Sequence, residues 1–349
     1  MANHENNRQK NSRWKIRPRG SNWGDFGPDD QKGRLNLLTP EKVMQGVAEV
    51  KEGKSFCLSL PLDYPGGNSV NPKRHPPQLR PTYHEGHEYY NMAWSKLVPG
   101  LTDVSADDVA IIHTQYSTQW DSLAHFGGEF DAMDDGTPER MYYNGFRAGT
   151  DVMALDDGDF EGVAAHQLGI HNMAETCVQG RAVMLDFHAH YGDERVRVNY
   201  DMLEKIMADD AIEIEPGDML LIHTGWGQMI LEMNLDPDAE KLHRSCAVLD
   251  SLDPKILEWV TDSGIAVIAS DNMAVEDIGG PQRQNIKGSR LPLHEHCLFK
   301  LGIHLGEIWY LTELAGWLRE NERSRLLLTA PPLRLTGAVG SPVMPVGTV

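Results

Sequence analysis

Short apolar runs bounded by polar residues or glycine recur along the chain and predict buried strands. The clearest are residues 108–114, 181–187, 218–224 and 264–270. A strand that is buried on both faces is a continuous apolar run of this length, whereas an amphipathic helix needs a longer segment with a period of 3.6 residues. The four runs therefore indicate the strands of a central sheet.

Segments with helical periodicity lie between and before these runs. Residues 39–53 begin with Thr39 and Pro40, which suit an N-cap and a first helical turn, and they end at Gly53. Residues 200–208 and 253–260 also combine capping residues with a helical period. No repeat of roughly 20 to 50 residues is visible. The sequence therefore predicts a single α/β domain with a central sheet and covering helices.

Residues 63–90 differ from the rest of the chain because they are rich in proline and glycine. The stretch from Pro65 to Pro81, both included, holds five prolines and two adjacent glycines. Such a composition disfavours helices and central strands, so we expect a long surface loop without regular structure. Long loops of this kind in compact domains are often functional.

The net charge of the chain argues against one class of binding partner, nucleic acids. The 349 residues include 32 Lys and Arg against 51 Asp and Glu, a formal net charge of −19. An acidic chain repels phosphate backbones, so we expect no nucleic-acid partner. Basic residues are concentrated near the N-terminus, and residues 1–21 are predicted to be a disordered basic tail preceding a domain at 22–349.

Cysteine spacing and hydropathy indicate the cellular compartment in which the protein is expected. Cys57, Cys177, Cys246 and Cys297 are far apart and form no C-x-x-C pair, which argues against a zinc ribbon and against a secreted disulfide framework. No window approaches the roughly 18 apolar residues of a membrane span, and no signal-peptide core is visible. We expect a cytoplasmic protein with no membrane partner.

The densest group of polar residues follows the first apolar run. If that strand continues to Asp121, alternation places His113, Gln115, Ser117, Gln119 and Asp121 on one face. Such a row is costly to bury unless its members bind one another, a ligand or a metal. His125, four residues beyond Asp121, can reach the same space. The row is therefore the leading candidate site.

This stretch resembles the signature of the putative cyclase family, which includes bacterial kynurenine formamidase and isatin hydrolase. The family pattern H-x-G-T-H-x-D-x-P-x-H aligns with Q-Y-S-T-Q-W-D-S-L-A-H at residues 115–125. The similarity extends in order over about residues 22–320, from W-G at 23–24 to L-H-E at 293–295 and G-E at 306–307, and it is closest to the longer, fungal-like branch. The resemblance implies the swivelling β/β/α fold of kynurenine formamidase and a homodimer or higher homo-oligomer.

The resemblance also implies a divalent metal site. Asp121 matches the metal-binding aspartate, His125 the proton-transferring histidine, and Glu307 the late catalytic glutamate, while His294 matches the histidine before it approximately. The two metal histidines are replaced by Gln115 and Gln119, which stay candidate metal ligands with Asp121 and His294, and the motif proline is replaced by Leu123. Because oxygen donors suit manganese better than zinc, we expect manganese, a weakened site or no metal at all.

Aromatic side chains near the site are candidates for an apolar substrate pocket. Trp120, Trp226, Tyr89 and Tyr90 could contact a cyclic or aromatic substrate, and core packing is the alternative for Trp226. His188 and His190 could form a second metal site if they alternate on a strand, although spacing identifies no acidic partner.

Three functions follow from these residues and the resemblance. The first is a metal-dependent hydrolase of a C–N bond in a small amide, lactam or related cyclic compound, with His125 as general acid and base. The second is a metal-independent lyase or cyclase that uses the same histidine and carboxylates. The third is a noncatalytic small-molecule binder on the same scaffold.

Overall fold

The computed structural model describes residues 13–155, 157, 162–278 and 288–349. Within these residues the chain forms 21 strands, many of them short. In chain order they are β1 (Ser55–Cys57), β2 (Gln78–Pro81), β3 (Tyr83–His84), β4 (His87–Glu88), β5 (Met92–Ala93), β6 (Val104–Ser105), β7 (Asp108–Ile111), β8 (Gln119–Asp121), β9 (Gly128–Phe130), β10 (Glu139–Met141), β11 (Val152–Met153), β12 (Ala164–Ala165), β13 (Gln179–Asp186), β14 (Arg197–Val198), β15 (Met219–His223), β16 (Val248–Leu249), β17 (Val267–Ser270), β18 (His304–Glu307), β19 (Arg325–Thr329), β20 (Gly340–Pro342) and β21 (Val346–Thr348).

The same part of the chain contains nine α-helices. They are α1 (Pro40–Ala48), α2 (Ile170–Ala174), α3 (Phe187–Tyr191), α4 (Tyr200–Asp209), α5 (Trp226–Glu232), α6 (Ala239–His243), α7 (Pro254–Asp262), α8 (Pro292–His294) and α9 (Thr312–Glu320). A π-helical segment, Glu295–Leu301, continues directly from α8, and short 3₁₀ turns occur at Gly33–Leu37, Trp94–Lys96 and Tyr143–Gly145.

A nine-stranded sheet forms the centre of the molecule, in the order β1-β21-β19-β13-β15-β17-β18-β8-β20. Strands β13, β15, β17 and β18 are parallel, and the strands on both sides of them pair antiparallel. Val183 and Leu185 of β13 pack in one apolar cluster with α4 and α7, whereas Ala182 and Met184 pack in a second cluster with α9. The sheet is therefore buried on both faces, and the predicted α/β class with a central sheet and covering helices is confirmed.

The predicted helices form where their capping residues indicate. Thr39 accepts a hydrogen bond from the backbone N–H of Lys42 and Pro40 opens α1, which ends at Ala48, before the predicted Gly53. Asn199 caps α4 by accepting from the N–H of Met202, over 3.0 Å. These contacts satisfy N–H groups that have no partner within the helix itself.

The first predicted strand and the predicted loop both need correction. Residues 108–111 form β7, which is exposed along its length and pairs with β2 in a separate two-stranded sheet. Residues 63–90, expected to lack regular structure, contribute β2, β3 and β4. An apolar run does not reveal whether its strand is covered, and among the described residues β7 has only the edge-to-edge pairing with β2. The chain turns after β7, so only Gln119–Asp121 of the polar row is a strand.

The N-terminal boundary also differs from the expected one. Residues 1–12 of the predicted tail lie outside the described residues, but the chain packs on the domain from Arg13 onward. The rings of Trp14 and Trp23 meet edge to face at 5.6 Å, and Arg17 donates to the carbonyl of Trp23 over 2.6 Å. Among the described helices, none combines the length and the apolar character that a membrane span requires.

Candidate metal and acid–base site

The pairing of two short strands builds the centre of the site. Strands β8 and β18 run antiparallel with Gln119 opposite Glu307 and Trp120 opposite Gly306. Because side chains alternate along a strand, Gln119, Asp121 and Glu307 share one face of the sheet, and Trp120 lies on the other. The three polar side chains are buried, and the amide of Gln119 donates to Glu307 Oε2 over 2.8 Å.

Gly306 permits the close packing behind this face. A Cβ atom at this position would lie 2.7 Å from the Cβ of Ala269 and 2.9 Å from the indole nitrogen of Trp309. Any side chain would therefore push apart the strands that carry the polar residues.

His294 enters the site from the end of α8. Its Nε2 lies 3.2 Å from Glu307 Oε1, and its Nδ1 lies 2.8 Å from Glu276 Oε1. Glu276 also accepts a hydrogen bond from the backbone N–H of His294, over 2.9 Å. The sequence analysis missed Glu276, although it follows β17 at the carboxyl edge of the sheet, where α/β proteins commonly place functional side chains.

Asp121, His294 and Glu307 converge closely enough to share one ion. One ligand atom from each lies within 4.8 Å of the others, and all three residues are buried. Two oxygens here, Asp121 Oδ2 and Gln119 Oε1, are buried and make no hydrogen bond in the described part of the chain. Buried polar atoms are costly to leave unpaired, so this arrangement is suited to a cation.

Gln115 and His125 border the ligand atoms. The amide of Gln115 donates to Asp121 Oδ1 and lies 3.0 Å from His125 Nδ1, so one glutamine orients both side chains. His125 Nε2 lies 3.8 Å from Asp121 Oδ2. Arg74, from the proline-rich segment, donates to the backbone carbonyl of Gln115 over 2.5 Å. That segment therefore reaches the site.

The carboxylates around His294 favour its charged form. Burial opposes that form, but hydrogen bonds to Glu276 and Glu307 outweigh it and raise the pKa of His294 to about 10. Burial alone would raise the pKa of Glu276, yet the contact with His294 holds that pKa below its ordinary value. Without a metal, the cluster contains an imidazolium between two carboxyl groups.

Glu307 and His125 are shifted mainly by burial. The pKa of Glu307 is raised by burial and by the neighbouring charge of Asp121. Burial also lowers the pKa of His125, although Asp121 partly opposes that change. His125 is therefore neutral at pH 7, the form that can accept a proton, and a cation beside Glu307 would relieve the repulsion between the two carboxylates.

Comparison with known proteins supplies the family. A family model described as "Putative cyclase" matches residues 58–277. The crystal structure of a novel cyclase is 31% identical, covers 94% of this chain and 97% of its own, and superposes with a TM-score of 0.73. The chain belongs to the cyclase family. The family predicted from the motif is thereby confirmed.

More distant structures share the cyclase fold. Isatin hydrolase A from Ralstonia solanacearum is 13% identical, with a TM-score of 0.52 over 84% of this chain and 91% of that one. An isatin hydrolase bound to the product analogue thioisatinate is 12% identical, with a TM-score of 0.52 over 89% and 99% of the two chains. No curated protein matches this chain.

The aromatic candidates of this chain lie in three different places. Trp120 has no exposed surface, packs edge to face on Trp309 with ring centroids 5.0 Å apart, and is a core residue rather than a pocket wall. Tyr89 accepts from the hydroxyl of Ser105 and packs on Trp94, within the small sheets of residues 78–111. Trp226 is almost fully buried, as core packing requires, but it also contributes to the wall of a cavity.

That cavity lies beside the candidate site and has a volume of about 560 Å³. Its apolar wall includes Trp226, Leu242 and Met273, and Glu276 contributes to its polar wall. Glu276 therefore lines the cavity and contacts His294, whereas Asp121, His294 and Glu307 do not line it. The volume falls within the range that is typical of small-molecule pockets.

His188 and His190 do not form a common site in this chain. They lie on helix α3 rather than on a strand. His188 pairs with Asp193 at 3.0 Å and His190 with Asp210 at 2.9 Å, so their imidazoles have separate partners. Each is a local surface ion pair when the histidine is protonated.

Proposed function

We propose that this protein is a hydrolase of the cyclase family that cleaves a C–N bond in a small amide, lactam or related cyclic compound. The observation that carries the proposal is the convergence of Asp121, His294 and Glu307 within 4.8 Å. Family membership supports enzyme chemistry, and the fold shared with isatin hydrolases supports a small substrate.

The donor set fits a divalent cation. Asp121 Oδ2, Glu307 Oε1 and His294 Nε2 are the proposed ligands, and Gln119 Oε1 is a fourth donor without another described partner. Three oxygens and one nitrogen favour manganese over zinc, which prefers imidazole and thiolate. A cation bound there would supply Lewis-acid charge to polarise a carbonyl and to favour ionisation of water.

A side chain of the protein would transfer the proton during hydrolysis. In amide hydrolysis the attacking water loses a proton and the departing nitrogen gains one. We assign this transfer to His125 Nε2, which faces Asp121 Oδ2 at 3.8 Å. Gln115 orients the imidazole, and Gln119 holds Glu307 through its amide N–H. The neutral form of His125 at pH 7 suits it for this task.

An assay of cyclic amides and lactams in the presence and absence of metal tests this proposal. Protein treated with chelator should open the ring of its substrate slowly, and added Mn²⁺ should restore the rate more than Zn²⁺ does. Asp121→Asn should abolish the restoration, whereas Asp135→Asn, at an exposed aspartate outside the ligand set, should not. Full activity in chelator, with no gain from either metal, would refute metal-dependent hydrolysis.

A metal-independent acid–base enzyme is the second candidate. It is favoured by the charge state of His294, because a pKa of about 10 means that an imidazolium can balance Glu276 and Glu307 without a metal. In that case activity in the chelator experiment should be complete. Binding of a substrate analogue without turnover under either condition would instead favour the noncatalytic binder.

We also propose a homodimer or higher oligomer built on the segment 78–111. This segment exposes an unusual group of large apolar side chains, which include Leu79, Tyr83, Val98, Val104, Val109 and Ile111. Exposed apolar patches of this kind commonly mark protein interfaces. Sedimentation at micromolar concentration should give at least a dimer, and Val104→Asp should weaken it while Met344→Asp, at another exposed apolar residue, should not. A monomeric parent chain would contradict this proposal.

A further inference from the structure

We propose that Glu276 is a positioning residue for the metal site, which orients His294 so that its Nε2 faces the cation. This inference rests on the proposed function, because it assumes that Asp121, His294 and Glu307 bind a metal. Glu276 itself is not one of the three converging ligands. Its role would be exerted through the imidazole.

The contacts of Glu276 support this role. Its carboxylate is almost fully buried and accepts several hydrogen bonds. Oε1 contacts His294 Nδ1 at 2.8 Å and accepts from the backbone N–H of His294 at 2.9 Å. Oε2 accepts from the hydroxyl of Ser251 at 2.5 Å and from the N–H of Leu293 at 3.3 Å. A carboxylate with this many fixed donors has little freedom to move.

The two nitrogens of the His294 ring are thereby given different tasks. Nδ1 is occupied by Glu276, and Nε2 is directed toward Glu307 Oε1 at 3.2 Å. A metal-binding histidine commonly donates its other ring N–H to a carboxylate, which fixes the tautomer and makes the ligating nitrogen more basic. Glu276 has the position and chemistry of such a partner.

A purely structural role of Glu276 is the alternative that the experiment must distinguish from positioning of His294. Glu276 accepts from backbone N–H groups in α8, so it also stabilises the start of the π-helical segment. Glu295 offers a matched control, because it lies on the same segment, its carboxylate pairs with Lys300 at 3.4 Å, and it is outside the converging ligand set. Replacing either glutamate by glutamine removes one negative charge at nearly constant shape.

The test is a calorimetric titration of Mn²⁺ into the full chain, with the electron paramagnetic resonance spectrum of the bound ion as a second readout. Glu276→Gln should weaken Mn²⁺ binding by about 10- to 100-fold and change the spectrum. Glu276→Asp keeps the charge but withdraws the carboxylate by one methylene, so it should also weaken binding. Glu295→Gln should leave affinity and spectrum unchanged.

Each outcome decides between positioning and its alternatives. A lower melting temperature with unchanged Mn²⁺ affinity in both Glu276 variants would assign Glu276 to stability and overturn the proposal. Weaker Mn²⁺ binding in Glu276→Gln but not in Glu276→Asp would indicate a long-range charge effect and would also overturn the proposal. Failure of both variants to fold would assign Glu276 to stability, with the same consequence. If the parent chain binds no Mn²⁺, this inference and the metal-dependent function fail together, whereas equal binding by parent and variants refutes only the inference.

Discussion

At the scale of single residues, the composition of the site depends on which face of the sheet each side chain of β8 occupies. Alternation along the chain predicts that Gln119 and Asp121 face the same way, and the register of β8 on β18 adds Glu307 to that face. The same alternation sends Trp120 to the core, which is why its indole donates to the carbonyl of Ala330 and not to a ligand. Motif spacing identifies Asp121 as a site residue. That the adjacent Trp120 belongs to the core is visible only once the pairing of the sheet is known.

Loss of the His125 imidazole should impair catalysis without unfolding the protein. The His125 side chain is mostly buried, with 26% of its surface exposed, so His125→Ala should lower stability modestly without unfolding the protein. If the ring transfers the proton, kcat should fall by about 10² to 10⁴ with Mn²⁺ affinity nearly unchanged. Steady-state kinetics and a Mn²⁺ titration check both quantities. His113→Ala, at an exposed histidine near the start of the same polar row, is the control, and unchanged kcat in His125→Ala would exclude His125 from the mechanism.

Replacing Gln119 by histidine tests the departure from the family motif. Gln119 faces Glu307 and has one amide oxygen without a described partner, so an imidazole there would be directed at the cation. Because zinc prefers nitrogen to a carboxamide oxygen, Gln119→His should raise zinc affinity relative to manganese. Competition titrations with the two metals measure this preference. A ratio that does not change would mean that residue 119 is not a ligand.

At the scale of elements, continuous apolar runs predict the central strands well and the peripheral ones poorly. Residues 181–187, 218–224 and 264–270 correspond to β13, β15 and β17, whose apolar side chains are covered on both faces. Residues 108–114 have a similar composition, yet within the described part of the chain β7 pairs only with β2, and it remains exposed. The difference arises from partners more than 25 residues away in the sequence, and a local pattern carries no information about them.

Strand β18 should be sensitive to any side chain at Gly306. A methyl group there would overlap Ala269 and the indole of Trp309, so Gly306→Ala should cost about 1 to 3 kcal/mol of unfolding free energy. Gly316→Ala is the matched control, because Gly316 lies in α9 with no atom near its missing Cβ. That substitution should stabilise the protein by about 0.5 to 1 kcal/mol. Denaturant unfolding measures both, and equal effects would contradict the packing described for β18.

At the scale of the whole molecule, two buried histidines outside the metal ligands should make stability depend on pH. Burial lowers the pKa of His304 to about 3 and that of His296 to about 4. Both rings favour the neutral form in the folded state, so their contribution is complete above the ordinary histidine pKa near 6.5 and is lost as pH falls toward 4. Each can cost up to about 1.4 kcal/mol per pH unit within that window.

Denaturant unfolding at pH 7.5, 6 and 5 checks this dependence. His304→Leu removes one of the titrating groups from an apolar setting and should reduce the loss of unfolding free energy on acidification. His243→Leu, at an exposed histidine, should leave the pH dependence of the parent chain unchanged. Because the raised pKa of His294 acts in the opposite direction, the comparison between variant and parent decides: an identical pH dependence in His304→Leu and the parent chain would show that this ring does not titrate as its burial requires.

Site residues that belong to one sequence motif could be predicted, whereas residues that meet only through the fold could not. The residues within the motif, Asp121 and His125, are close in sequence, and family resemblance adds His294 and Glu307. Glu276 belongs to no such pattern and meets His294 only because the chain returns to the same edge of the sheet after 18 residues. Its function as a hydrogen-bond partner is a property of the folded molecule.

Anomalous X-ray scattering from crystals grown with Mn²⁺ tests the central claim most directly. The measurement locates the ion independently of activity and of any assumed substrate. We expect one strong anomalous peak at bonding distance from Asp121, His294 and Glu307, with Glu276 against His294 Nδ1. Crystals that contain Mn²⁺ only at other residues, or none at this cluster at millimolar concentration, would contradict a metal-dependent hydrolase built on these three ligands.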